Sequence, residues 1–373
     1  MHSWQHPQWP DFRYDLDASR SSRESFFEKS DQLGGAEWSL DAEAAAEARI
    51  ETMLSDALSS NAIEGENLDR DTVRSSLLVH MGQLSEPIRH SRKADGAAAL
   101  MVDVRKTWDQ PLTRAALEKW CSMALPVEYS GSSAREYRTH EVRIVSGYHG
   151  REKIHFTAPP PGEVERQMDM FLEWFNSISI DSPEKAAVAH FWFETIHPFA
   201  DGNGRVGRAI ADKALSRIAG RPSLACMSTA IYQSRREYYK AFESISPQRN
   251  QPLDMTPFTS YFTRTASRAQ SIAIEQVRFI LDKARFYQKH PSMNPRQAKV
   301  VERMFRAGSG GFEGGMSTKK YAAIAKCPTV TASRDLSALA RIGALIPSGE
   351  GRGRRYALAL TNRAGPLPKR RRA

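Results

Sequence analysis

Apolar side chains recur at helical spacing through most of the chain, and short alternating runs occur in two places. Apolar positions three and four residues apart predict the buried face of a helix. Such stripes run through four segments, at 50–58, 164–175, 188–196 and 206–218. Alternating runs around glycines at 142–156 and 344–360 each predict a β-hairpin. The pattern therefore predicts a mainly α-helical protein with two short hairpins.

Proline and glycine clusters, with changes of period, divide the chain into three units and a tail. We predict an N-terminal domain at 1–85, a helical core at 86–285, a third domain at 293–361 and a basic tail at 362–373. The first unit opens with an aromatic, proline-rich strip and then becomes helical. At 373 residues the chain is long enough for each unit to bury a core of its own.

The third unit has the outline of a winged helix-turn-helix domain. Periodicity predicts helices at 295–307, 317–326 and 329–342, the last with Val330, Leu336, Leu339 and Ile342 facing inward. The hairpin that follows would be the wing. The third helix would then read DNA while the wing touches phosphates. The candidate DNA contacts are Arg334, Arg341, Arg352 and Arg354. Use of this domain for protein contact or dimerisation is the alternative.

Composition narrows the class of protein further. Hydrophobic residues make up 40% and charged residues 26%, as in folded globular domains. The three cysteines are far apart and form no CxxC pair, which argues against a disulfide framework and a zinc site. We expect a cytoplasmic protein without membrane contact, because no long apolar run and no secretory signal pattern is present. The net charge of +10 favours acidic partners such as nucleotide or nucleic acid.

Residues 197 to 208, HPFADGNGRVGR, combine groups that bind anions. Gly202 and Gly204 let the backbone turn so that successive N–H groups point into one concavity. The following helix adds the positive end of its dipole. Arg205 and Arg208 lie three residues apart at the start of that helix, so both guanidinium groups would face the same anion. The segment predicts a phosphate-binding loop.

Two further side chains add chemistry to this loop. Asp201 is the nearest carboxylate and could hold a divalent cation together with phosphate oxygens and water. The imidazole of His197 titrates near neutrality and could take a proton from an incoming hydroxyl. Each group alone has an ordinary structural explanation, as a turn, a helix cap or a solvated surface. Their combination within twelve residues favours an enzyme.

The same twelve residues resemble the HPFx[DE]GNGRxxR signature of the Fic family and match it at every defined position. The resemblance implies a helical bundle with a hairpin flap that transfers AMP from ATP to a Tyr, Ser or Thr hydroxyl of a target protein. It implies His197 as the base and Asp201 as the holder of Mg²⁺. It also implies phosphate binding by Gly202, Asn203, Gly204, Arg205 and Arg208. Two questions are left open: whether the chain transfers AMP to itself, and whether it forms a homodimer.

Two more features carry the resemblance outside the signature. Lys153, Ile154 and His155 would border the groove of the flap, which lines up the target segment by strand-like pairing. Tyr238 and Tyr239 resemble the tyrosines that approach the adenine in relatives. Ordinary helix packing is the alternative for this tyrosine pair.

An inhibitory motif is indicated before the helical core. Residues 60–65, SNAIEG, resemble the [ST]xxxE[GN] motif of one class of Fic proteins, with Ser60, Glu64 and Gly65 at its defined positions. The resemblance implies that Glu64 pairs with Arg208 and displaces the γ-phosphate of ATP. A surface residue after a helix is the alternative for Glu64. Some relatives use this glutamate to remove AMP, so the reverse reaction stays open.

The second functional hypothesis is a DNA-binding regulator whose Fic core is a sensor or is silent. A catalytically silent core is disfavoured because His197, Asp201 and both arginines are present. Relatives that transfer phosphate instead depart from the GNGR part of the signature, whereas this chain keeps Gly204. The absence of any GxxxxGK[ST] stretch argues against a P-loop kinase or NTPase. AMP transfer is the favoured reaction.

Overall fold

A computed structural model describes residues 2–38, 40–89, 91–125, 136–146, 153–245, 251–308 and 310–360. The side chains of 144–146, 153–155 and 352 and the predicted basic tail at 362–373 lie outside the described residues. None of the helices in the described part is both long and apolar enough to cross a membrane.

The chain forms two compact units. The first unit comprises Met1–Gly35 and Arg49–Ile274, and the second comprises Ala36–Ala48 and Glu275–Ala373. Residues from the predicted N-terminal domain, such as Phe26 and Val73, belong to the same hydrophobic core as Phe171 and Phe193. The division at 1–85, 86–285 and 293–361 stays a prediction.

The third, fourth and fifth of the N-terminal helices begin at polar caps. The N-terminal helices are α1 Arg20–Trp38, α2 Ala42–Ile63, α3 Arg70–His80, α4 Arg92–Lys106 and α5 Arg114–Ala124. The side chains of Asp69, Ser91 and Thr113 each accept a hydrogen bond from the backbone N–H three residues later, at the starts of α3, α4 and α5. Each of these caps satisfies an N–H group that the helix cannot pair by itself.

The middle of the chain contains the first hairpin and the central helices. Strands β1 Arg143–Ser146 and β2 Lys153–Thr157 pair antiparallel, with an irregularity between Ile144 and Val145. The helices that follow are α6 Pro161–Ser177, α7 Pro183–Ile196, α8 Asn203–Ala219, α9 Met227–Gln233, α10 Arg235–Glu243 and α11 Thr256–Lys289. The predicted stripes at 164–175, 188–196 and 206–218 lie in α6, α7 and α8, which confirms the mainly helical prediction.

The second unit contains three short helices and a hairpin, as the sequence predicts. They are α12 Pro295–Phe305, α13 Thr318–Ala325, α14 Thr329–Arg341, β3 Leu345–Ser348 and β4 Arg355–Leu358. Strands β3 and β4 pair antiparallel, and Val300, Tyr321 and Leu345 lie in the core of this unit.

The prediction that four residues of the third helix face inward is wrong for two of them. Leu336 and Leu339 are buried, but Val330 is 63% exposed and Ile342 is 52% exposed. Each of these two residues lies six positions from Leu336. At about 100° per residue they therefore point roughly 120° away from it around the helix. Ala332 and Asp335 occupy the buried face instead.

Candidate active site

The predicted phosphate-binding loop begins where α7 ends. His197 has φ 52° and ψ 60°, the left-handed conformation, and its N–H donates to the carbonyl of Phe193 at 3.0 Å. This conformation is uncommon for a residue other than glycine. Pro198 follows and has no N–H to continue the helix. The chain therefore turns sharply at His197 and enters the loop.

Asn203 and Gly202 hold the loop on α8. The Asn203 side chain accepts from the N–H of Phe199 at 2.9 Å and donates to the carbonyl of Phe199 at 2.8 Å. Phe199 itself is buried in the core. Gly202 has φ 82° and precedes the first residue of α8. The side-chain amide of Asn203 is thus hydrogen-bonded within the loop. The backbone N–H of Asn203 is one of the first-turn groups that have no acceptor within the helix.

His197 is a neutral base in this structure. Burial, reinforced by the nearby charge of Arg138, lowers the pKa of His197 to about 4. Its Nδ1 lies 3.3 Å from the backbone carbonyl of Glu194. Because a carbonyl only accepts, Nδ1 carries the hydrogen and Nε2 keeps a lone pair. His197 can therefore accept a proton at Nε2.

The two arginines of the loop differ in their partners. Arg208 donates from Nε to Ser60 Oγ at 2.9 Å, and from Nη2 to the Ser60 carbonyl at 2.9 Å and to Glu64 Oε1 at 2.7 Å. Arg205 is also buried, but its nearest carboxylate oxygens, on Asp201 and Glu66, lie 3.8 and 3.9 Å away. Arg208 makes three hydrogen bonds through Nε and Nη2, whereas Arg205 is only loosely paired.

Glu64 reaches the loop from the end of α2. Its carboxylate lies against Gly204, where a Cβ atom would overlap Glu64 Oε1. A glycine at this position therefore permits the close approach of the carboxylate to Arg208. The Glu64 side chain is 35% exposed, so it is partly open to solvent. The predicted contact between Glu64 and Arg208 is present.

Asp201 lies on the exposed side of the same loop. Its side chain is 56% exposed, and Oδ1 accepts a hydrogen bond from the N–H of Gly202 at 2.5 Å. Among the described residues no group of three or more His, Cys, Asp or Glu side chains could hold a metal ion. Asp201 can thus offer a single carboxylate oxygen to a cation that takes its other ligands from water and phosphate.

The tyrosine pair is split between core and surface. His190 Nδ1 lies 2.9 Å from the Gly207 carbonyl and its Nε2 lies 2.9 Å from the Tyr238 hydroxyl. Burial lowers the pKa of His190 to about 4, so the neutral ring donates to Gly207 and accepts from Tyr238. Tyr238 is buried, while Tyr239 is 48% exposed. Of the two rings, Tyr239 is the one with a free face, and the adenine contact stays a prediction for both.

Comparison with known proteins agrees with this geometry. The model of the Fic/DOC family matches residues 111–215, which include the loop, His197 and both arginines. The chain contains a Fic domain. A domain of unknown function, DUF4172, matches residues 2–83 ahead of it, a range that includes Glu64.

Relatives of the Fic domain carry names that state an activity. The protein adenylyltransferase fic-1 of Caenorhabditis elegans is 30% identical over 33% of this chain and 22% of its own length. The protein adenylyltransferase Fic of Nematostella vectensis is 27% identical over 56% of this chain and 46% of its own length. The chain thus spans less than half the length of these curated relatives.

Solved structures show the shared fold. A Fic family protein from Desulfovibrio desulfuricans G20 superimposes with a TM-score of 0.51 at 19% identity, over 90% of this chain and 95% of that one. A Fic domain containing signaling protein from Bacteroides thetaiotaomicron VPI-5482 gives 0.52 at 20% identity, over 69% of this chain and 96% of that one.

Two residues at the Fic loop were not identified from the sequence as site residues. Arg138 is buried and donates from Nε to the His197 carbonyl at 2.8 Å and from Nη2 to the Pro159 carbonyl at 2.6 Å. Glu194 Oε1 is buried and has no hydrogen-bond partner in the described part of the chain. Burial raises the pKa of Glu194 to about 8 against the opposing charge of Arg208. The signal available for Glu194 was a glutamate that follows three aromatic residues and lies three residues before His197.

The remaining predicted residues lie in the flap and in the second unit. Lys153, Ile154 and His155 lie in β2, which pairs with β1, but their side chains are outside the described residues. In the second unit Arg334, Arg341 and Arg354 are exposed. The side chain of Arg352 is outside the described residues, and the DNA contacts stay predictions.

Proposed function

We propose that the protein is an adenylyltransferase that moves AMP from ATP to a Tyr, Ser or Thr hydroxyl of a target protein. The observation that carries this proposal is the assembled Fic loop, in which a neutral His197 precedes an α8 N-terminus that bears two arginines. The names of the relatives support the same activity.

The reaction follows from the groups that the loop provides. The target oxygen attacks the α-phosphorus of ATP, a new O–P bond forms, and the bond to the leaving pyrophosphate breaks. The hydroxyl proton passes to Nε2 of His197. The first-turn N–H groups of α8 bind phosphate oxygens, and Arg205 and Arg208 balance the charge of the β and γ groups. Transfer of this kind depends mainly on positioning and charge neutralisation, which this loop supplies.

A magnesium ion fits the loop as a partner of the nucleotide. One exposed carboxylate, that of Asp201, matches an ion that usually keeps several waters and binds substrate phosphates. When bound, Mg²⁺ would neutralise negative charge on the phosphates. Asp201 would hold it.

Glu64 inhibits this activity in our proposal. Its carboxylate occupies Nη2 of Arg208, the group that would bind the γ-phosphate. A γ-phosphate brought to Arg208 would meet the negative charge of Glu64, so the two compete. Removal of AMP from a modified protein is a further activity that the same glutamate would support.

Purified protein incubated with Mg²⁺ and ATP labelled at the α-phosphate tests the proposal. We expect Glu64→Gly to label itself or an added target more strongly than wild type, and His197→Ala to abolish labelling. Mass spectrometry would identify whether AMP or phosphate is added, and to which residue. Addition of phosphate, or equal labelling by His197→Ala and Glu64→Gly, would contradict it.

We propose DNA binding as a second function, carried by the second unit. The observation that favours it is an exposed polar face on α14, with Ser333, Arg334, Ser337 and Arg341 all exposed. A gel shift with genomic fragments at two salt concentrations tests it, because phosphate contacts weaken as salt rises. Binding that ignores salt, or no binding, argues for protein contact instead.

A further inference from the structure

The segment that carries Glu64 also carries a second carboxylate, that of Glu66. The Glu66 N–H donates to the carbonyl of Asn61 at 2.9 Å, so the turn after α2 fixes its position. Glu66 Oε1 accepts from Lys93 Nζ at 3.0 Å. Glu66 Oε2 is buried, lies 3.9 Å from Arg205 Nη1 and has no hydrogen-bond partner among the described residues. One oxygen is therefore held by a lysine, and the other faces an arginine of the Fic loop.

The guanidinium group of Arg205 also has an N–H group whose hydrogen bond is not satisfied. Its Nε is buried and has no hydrogen-bond partner in the described part of the chain. Asp201 lies 3.8 Å from its Nη2, also beyond hydrogen-bonding distance. A buried guanidinium without a hydrogen-bonded partner is costly, and an anion between it and solvent would satisfy it. Arg205 is therefore poised to bind an anion that Glu66 opposes.

We propose that Glu66 is a second inhibitory carboxylate, which competes with the β-phosphate of a nucleotide for Arg205 as Glu64 competes with the γ-phosphate for Arg208. This inference rests on the proposed function for the assignment of the two phosphates. The segment would then carry one carboxylate for each arginine of the loop.

The effects of Glu64 and Glu66 should be distinguishable by comparing the binding of ADP with that of ATP. A phosphate oxygen that hydrogen-bonds to Arg205 approaches Glu66 Oε2 to within a few ångströms, and like charges at that distance repel. ADP and ATP both carry a β-phosphate, so Glu66 should weaken the binding of both. Only ATP carries a γ-phosphate, so Glu64 should act mainly on ATP.

Binding measurements on the full chain test this separation. Calorimetry with ADP and Mg²⁺ would compare wild type with Glu64→Gln and Glu66→Gln, and with Asp71→Asn, which removes an exposed carboxylate in the first turn of α3. We expect Glu66→Gln to tighten ADP binding about fivefold, the size typical of one partly exposed charge pair. Glu64→Gln and Asp71→Asn should change ADP affinity much less. Unchanged ADP affinity in Glu66→Gln would overturn the inference.

Lys93 provides a test in the opposite direction. Lys93→Met removes the cation that shares the Glu66 carboxylate, so Glu66 should oppose the nucleotide more strongly and ADP should bind more weakly. In the Glu66→Gln background the same change should have little effect. An equal loss in both backgrounds would show that Lys93 acts without Glu66, and would count against the inference.

The proposed function can fail separately from this inference. If no variant binds ADP or ATP, the nucleotide site itself is wrong. If nucleotides bind and Glu64→Gln tightens ATP while Glu66→Gln behaves as wild type, only the role of Glu66 is wrong. The ATP measurements use the His197→Ala background, so that no transfer occurs during titration. Glu66→Asp, which keeps the charge, should remain close to wild type.

Discussion

Two charged clusters lie one turn apart along α8, and they differ in their access to solvent. In the first, Arg208 of α8 makes three hydrogen bonds, to Ser60 of α2 and to Glu64 in the turn after α2. In the second, Asp212 lies one turn further along α8 and Asp56 one turn earlier along α2, both near Arg105 of α4. Helix α8 thus contributes to an ion pair that reaches solvent and to a cluster that does not.

The second cluster is poorly satisfied. Arg105 Nη2 lies 3.3 Å from Asp212 Oδ2, yet neither carboxylate oxygen of Asp212 has a hydrogen-bond partner among the described residues. Burial raises the pKa of Asp56, and it raises the pKa of Asp212 to about 7, against the opposing charge of Arg105. Asp56 is better placed, since it accepts from the N–H of Thr229 at 2.9 Å. The comparison contrasts Glu64, a carboxylate of the outer cluster that is partly open to solvent, with Asp56 and Asp212, two carboxylates of the inner cluster that are buried.

The largest effect should come from breaking the inner cluster. Arg105→Met removes the cation and leaves two buried carboxylates, so we expect a loss of about 4 kcal/mol in the free energy of unfolding. Arg208→Met is the matched change in the outer cluster, and it should cost less because Glu64 can hydrate. Urea unfolding of both variants measures the difference. Equal losses would mean that the two clusters are alike in energy.

The sequence predicts the outer cluster and not the inner one, for a physical reason. Glu64 and Arg208 each belong to a motif whose residue types are dictated by the chemistry of one site. Asp56, Arg105 and Asp212 come from three helices that meet only in the tertiary structure, and no local pattern links them. Helix type and core faces follow from apolar periodicity, which is why α6, α7 and α8 were predicted.

The local sequence pattern also failed to predict the surroundings of Val330 and Ile342 in α14, and of Glu66 after α2. Val330 and Ile342 are apolar and lie in or beside a short helix, but their angular positions place them outside the buried face of α14. Glu66 lies in a turn where the sequence offers no periodicity. Its position near Arg205 depends on the tertiary structure, since the two residues lie far apart in the sequence.

A second, smaller effect should appear as a pH dependence of the inner cluster. The folded pKa of Asp212 is raised from 3.8 to about 7. Protonated Asp212 therefore contributes to the free energy of unfolding. This contribution is fully present below the pKa of the unfolded state and is lost as the pH rises through the pKa of the folded state. Relative to Asp212→Asn, wild type should lose roughly 3 kcal/mol of unfolding free energy between pH 4 and pH 8. Urea unfolding across this range measures the loss.

Asp71→Asn is the matched control for this pH series, because Asp71 is exposed. We expect no comparable divergence between Asp71→Asn and wild type. A difference between wild type and Asp212→Asn that stays constant from pH 4 to pH 8 would show that Asp212 is ionised in the folded protein throughout, and that the inner cluster resembles the outer one.

The smallest effect concerns the outer ion pair and should reverse when nucleotide is added. Glu64→Gln removes a carboxylate that is 35% exposed, so without nucleotide it should cost at most about 1 kcal/mol of unfolding free energy. With ATP and Mg²⁺ in excess the variant should become more stable than its parent. The reason is that the γ-phosphate takes the place of Glu64 on Arg208, and a ligand bound only to the folded state stabilises it.

The parent and the variant in this experiment both carry His197→Ala, so that no AMP is transferred during unfolding. ADP lacks the γ-phosphate and should give a smaller reversal than ATP. If Glu64→Gln remained less stable than its parent at every ATP concentration, the carboxylate and the phosphate would not be competing for Arg208. The solvent-facing ion pair would then hold the helices together in the same way as the buried cluster one turn away.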